Sequence, residues 1–211
     1  GVWVVVGGAA RPRGLLEAVP VGVGGLPLSR ARAQALFDAV QRLAPGKDIA
    51  SVMVTHHHFD TVGGVRGAMD LGASVVVSQI SRSVVERWVT AKRKDPSKPG
   101  GRKGSPPPFT SVAGKATFND GKRAVEMHVL DGNVHAQGML VAYLPKEKLL
   151  IQTDVYTPGP PFSQPIERPQ EGAVMLGKNI ARLKLDVERI VCLRGRVISI
   201  GELQRAAGMA D

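Results

Sequence analysis

The run Thr55-His56-His57-His58-Phe59-Asp60-Thr61-Val62-Gly63-Gly64 constrains this chain more than any other segment, because it sets three of the five histidines beside a carboxylate directly after an apolar stretch at 49–54. That stretch is rich in β-branched and apolar side chains, the pattern of a short buried strand. The histidines therefore begin where a strand ends, and in open α/β sheets the carboxyl ends of strands are where ligands bind. His56, His58 and Asp60 alternate with His57 and Phe59, so an extended or turning backbone aims the first three at one point. Neutral imidazoles and a carboxylate are donors that a borderline cation such as zinc accepts. Gly63-Gly64 then permits a tight turn. The plainer alternative is a polar loop of clustered histidines without a metal.

Two later residues add to the metal reading. His135 lies in Gly132-Asn133-Val134-His135-Ala136-Gln137-Gly138, and Asp154 follows Leu149-Leu150-Ile151-Gln152-Thr153, again where an apolar run stops. With these in place the chain resembles the metallo-β-lactamase-fold hydrolases, which include zinc β-lactamases, glyoxalase II, lactonases and RNA-processing nucleases. Residues 55–64 look like the family's T-H-x-H-x-D-H-x-G-G signature, His135 like its downstream histidine, and the turn at 144–150 followed by Asp154 like the hairpin that delivers its metal-bridging aspartate. Residues 186–195 look like its last strand, which normally ends in His-Gly. The resemblance covers nearly the whole chain, most fully 45–205.

It implies an α/β fold, a four-layer αβ/βα sandwich, and a zinc site on His56, His58 and His135 with an open fourth position. Three protein ligands plus water is the layout of a catalytic rather than a structural zinc. Two departures concern the second metal of the common dinuclear arrangement. Thr61 stands where the family usually has a histidine after the motif aspartate, and Arg194 stands where it has the final histidine. A guanidinium stays charged and has no acceptor lone pair, so it cannot ligate a cation. One zinc per chain is therefore expected, with Asp60 and Asp154 near the ion as ligands or as groups acting on its water.

A chain of 211 residues fits one domain with a sizeable core, here taken as residues 1–211 with a basic Gly/Pro-rich insertion at 92–108. The lone Cys192 excludes an intrachain disulfide and a CxxC metal site, and its apolar neighbours predict a buried, inert thiol. No apolar run approaches the ~20 residues that span a bilayer, so a soluble chain without membrane contact is expected, cytoplasmic or else periplasmic or secreted. The chain starts at Gly1 and not at Met, so removal of upstream residues is expected. The formal charge of +10 owes much to Lys92, Arg93, Lys94, Lys98, Arg102 and Lys103, which read as a solvated loop with at most weak, non-specific polyanion binding. No base-reading module accompanies them.

Along the chain, short strands are predicted at 1–6, 15–18 and 21–23, and a helix at 29–43 capped by Ser29 with Leu36, Phe37, Val40 and Leu43 on its buried face. Next come the strand at 49–54, a helix at 62–71, a strand at 73–78 and a helix at 81–93 with Val84, Val85, Trp88 and Val89 inward. This is a βαβ unit followed by a helix. Strands at 116–118, 124–129, 139–144 and 149–153 follow, with turns at Asn119-Asp120-Gly121 and Pro145-Lys146-Glu147. His128, inside a strand, reads as structural. A Pro-rich loop, a helix at 171–183, a strand at 188–193 and a helix at 201–207 complete the chain.

The leading expectation is a zinc-dependent hydrolase that attacks an ester, lactone, thioester or β-lactam, a small-molecule substrate, through a metal-bound water, with Asp60, Asp154 and Arg194 as catalytic groups. Asp60 would orient the water or take its proton, and Arg194 would sit in the vacated second position, paired with Asp60, Asp154 or an anionic substrate. Two other readings stand beside it: a degenerate, non-catalytic relative that binds a ligand or partner, and a nucleic-acid-processing protein suggested by charge alone.

Overall fold

The computed structural model describes residues 3–4, 15–16, 22–24, 30–43, 45–46, 49, 51–70, 72–91, 109–119, 123–132, 135–160 and 168–209. The basic insertion, Ser29 and the Asp120-Gly121 turn lie outside them. The chain divides into two compact units, Gly1–Ser111 and Val112–Asp211.

In the first unit, β1 (Trp3–Val4) pairs antiparallel with β2 (Leu15–Leu16). A four-stranded sheet has the order β3 (Gly22–Gly24), β4 (Ser51–Val54), β5 (Ser74–Ser78) and β6 (Phe109–Val112), the last reaching one residue past the unit boundary. β3, β4 and β5 run parallel, with Val52 opposite Val75 and Val54 opposite Val77. Successive residues of β4 and β5 are buried on both faces, as parallel strands under helices must be. Their valines pack with Leu36, Phe37 and Val40 of α1 (Arg30–Leu43) and Val85 and Val89 of α4 (Gln79–Thr90). Each fully buried Val or Leu contributes about 1.5–3 kcal/mol of hydrophobic free energy.

Three details differ from the sequence reading. Leu43, the last residue of α1, is 39% exposed instead of buried. Val84 is 37% exposed, because α4 starts at Gln79, capped by Ser78 Oγ accepting from Ser81 N at 3.2 Å, and its buried face runs through Ser81, Val85 and Val89. Val84 is one residue, or about 100°, off that i, i+4 line. The helix expected at 62–71 is two: α2 (Phe59–Val62) and α3 (Val65–Asp70), separated at Gly63-Gly64.

The second unit is built on a six-stranded sheet ordered β12 (Val197–Ser199), β11 (Arg189–Cys192), β10 (Leu149–Gln152), β9 (Leu140–Leu144), β8 (Ala124–Val129), β7 (Lys115–Asn119). All neighbours are antiparallel except β10 and β11, which run parallel with Gln152 opposite Cys192. β9 and β10 form a hairpin around one 3₁₀ turn, Pro145–Glu147, closed by Lys148 at φ 48°. Helix α5 (Glu171–Arg182) lays Ala173, Leu176 and Ile180 on the core, and α6 (Ile200–Ala206) adds Leu203 and Ala206. Ser199 Oγ caps α6 by accepting from Glu202 N at 3.2 Å. Cys192 is fully buried in this core, as its apolar neighbours require. β6 and β12 were not anticipated. No helix among the described residues is long and apolar enough to cross a membrane.

Candidate metal centre

In the first unit the histidine loop leaves the carboxyl end of β4, as the sequence reading placed it. His56 is fully buried, and the Thr55 hydroxyl lies 3.1 Å from its Nδ1. A hydroxyl on one ring nitrogen fixes the ring plane and makes the other, Nε2, the candidate cation donor. His58 is the N-cap residue of α2, extended at φ −68° and ψ 148°, and its carbonyl accepts from Thr61 N and Val62 N at 3.0 and 3.1 Å. Its imidazole makes no cap bond, so the backbone alone begins the helix. The His56 and His58 rings stand 4.7 Å apart between centroids, nearly perpendicular.

His57 is turned to α4. Its Nδ1 lies 3.4 Å from Ser81 Oγ, and with Phe59, Val62, Val85 and Trp88 it lines a groove of ≈ 330 Å³. Burial, and then the neighbouring His58, holds its pKa below the usual histidine value, which favours the neutral ring. Asp60 falls in the first turn of α2, since the helix starts at Phe59 and ends the extended alternation one residue before it. Thr61 is buried on the same helix.

In the second unit His135 is exposed, in the connection between β8 and β9. Asp154 follows β10 and adopts φ 59°, a left-handed conformation that Asp tolerates better than most side chains. Gln152 holds it there. Fully buried at the end of β10, its side-chain carbonyl accepts from Val155 N and Tyr156 N at 3.2 and 3.3 Å while its amide donates to Tyr156 O at 2.5 Å. Thr153 Oγ1 donates to Asp154 Oδ2 at 3.1 Å.

Arg194 occupies the third position of the turn joining β11 to β12, closed by Gly195 N donating to Cys192 O at 3.0 Å. Gly195 lies so near Pro158 that a Cβ would sit 2.8 Å from its ring. From this turn Arg194 Nε forms an ion pair with Asp154 Oδ1, whose side chain is only 10% exposed. Sequence reasoning placed Asp154 and Arg194 at strand ends and Thr55 at the head of the histidine motif, but gave Thr55 no partner and missed Ser81 and Gln152. Of the two missed residues, only Gln152 left a trace, as an amide ending an otherwise apolar strand.

His128 is buried, with Nε2 2.9 Å from Glu126 Oε2, and Lys115 Nζ donates to Glu126 Oε1 at 2.7 Å. Burial pushes the Glu126 carboxyl up. The hydrogen bonds from Lys115 and His128 outweigh it and bring the carboxyl below the ordinary glutamate value.

No family model matches the chain, and no curated protein sequence matches it. Solved structures do. A metallo-β-lactamase from Pontibacter korlensis superposes with TM-score 0.67 at 16% identity over 94% of this chain and 86% of that one. The DIM-1 metallo-β-lactamase exposed to ceftazidime gives 0.67 at 16% identity over 99% and 89%, and a metallo-β-lactamase from Hirschia baltica gives 0.63 at 16% over 99% and 90%. The chain has the α/β metallo-β-lactamase fold.

Proposed function

We propose that the chain is a metal-dependent hydrolase in which His56, His58 and His135 hold one zinc ion, acting on an ester, lactone, thioester or β-lactam. The donor set suits such an ion: imidazole nitrogens are borderline donors, and three protein ligands leave a position for water. When bound, the ion supplies a water whose pKa falls from 15.7 toward ~7. The chain's own residues do the rest. Thr55 would fix the His56 ring, and Asp60 would orient the water or take its proton.

One observation carries this reading: two perpendicular imidazoles at the carboxyl end of a parallel strand, in a chain with the metallo-β-lactamase fold. The test is elemental analysis of the purified chain together with a panel of chromogenic esters and β-lactams. Activity on at least one substrate, abolished by chelation and restored by zinc, is expected. Inactivity across the panel in metal-loaded protein would sink the hydrolase reading.

A second reading, a scaffold of this fold that binds a ligand or partner without catalysis, is favoured by the Asp154–Arg194 ion pair, in which a half-exposed guanidinium neutralises a largely buried carboxylate. A folded chain with no bound metal would favour it.

A further inference from the structure

We infer that Arg194 is a built-in cation that closes the Asp154 side of the site to a second metal. This deepens the one-metal reading above and rests on it for the first ion only. On the resemblance described above, the second unit would offer a second ion Asp154 and the residue that follows the last core strand. The latter is Arg194, which has no lone pair. The residues present do not fit a second ion.

Asp154 is the one strong donor of that set, and it is engaged by the Arg194 guanidinium. The engagement is structural on both sides. Gln152 holds the loop that gives Asp154 its left-handed backbone, and the β11–β12 turn holds Arg194 opposite it. A carboxylate as buried as Asp154 needs a counter-charge, and the guanidinium is that charge. A second cation would have to displace Arg194 and then sit beside it.

The test is zinc stoichiometry of the full chain, measured by equilibrium dialysis with elemental analysis, a readout independent of hydrolysis. Arg194→His exchanges the cation for an imidazole donor and should bind one equivalent more than the wild type. Arg194→Lys keeps the charge and should match the wild type. Arg194→Gln removes the charge with little change of size and guards against misfolding of the histidine variant. Its cobalt complex should show a second, weaker absorbing site absent from the wild type. Combining each variant with His58→Ala separates the two ions. An added equivalent that survives His58→Ala supports the inference even if the wild type binds no metal and the hydrolase reading fails. If folded Arg194→His and Arg194→Gln both stay at the wild-type stoichiometry under saturating zinc, Arg194 does not exclude a second metal and the inference is overturned.

Discussion

At the end of β4 the polar groups are imidazoles on a backbone of ordinary angles, whereas at the end of β10 a carboxylate sits at left-handed φ with a guanidinium on it. A neutral imidazole can be buried at modest cost and coordinate a cation that arrives later. A buried carboxylate carries its charge from the start, so the fold must supply a counter-ion of its own or depend on a metal. On the reading proposed above, the first strand end would take a metal, and the second carries its own counter-charge in Arg194. The supporting groups follow the same division: a hydroxyl orients His56, while an amide with three backbone partners positions Asp154.

The largest expected effect comes from removing that amide. Gln152→Leu would leave two buried backbone N–H groups and one carbonyl without the partners they have now, at a cost of about 3 kcal/mol in urea unfolding. A loss under about 1 kcal/mol would mean that the loop holds Asp154 unaided and the two strand ends are less different than described. Thr55→Val comes next. Without the hydroxyl the His56 ring loses its orientation, and zinc affinity should fall by about 10–100-fold with little change in unfolding. Unchanged affinity would show that packing alone sets that ring.

The smallest effect concerns Glu126, away from both strand ends. Because its carboxyl titrates below the ordinary value in the folded chain, its contribution is present above the unfolded value and disappears as pH falls through the folded one. Glu126→Gln should therefore be less stable than the wild type at pH 7 by about 1 kcal/mol or less, with the gap closing below about pH 4. A gap that persists in acid would place the effect in packing instead.

Much of this was legible because it rests on local pattern. Histidines after a β-branched run mark a strand end, and Arg194 cannot ligate wherever the fold puts it. What escaped depends on tertiary context. Val84 and Val85 have the same side chain, and only the start of α4 at Gln79 decides that Val85 is fully buried and Val84 exposed. Gln152 looks like an ordinary strand terminus until the chain doubles back to set Val155 and Tyr156 against it. β12 is three residues long and exists because β11 offers it an edge.

The proposed division between a strand end that takes a metal and a self-neutralised one is tested most directly by metal content per chain in three proteins: wild type, His58→Ala and His57→Ala. Losing a ligand should cost more than the ~10–100-fold lost with an orienting partner. Close to one zinc is expected in the wild type and in His57→Ala, whose ring is turned to Ser81, and none in His58→Ala. Two tightly held ions in the wild type, or loss of the ion from His57→Ala but not from His58→Ala, would contradict it.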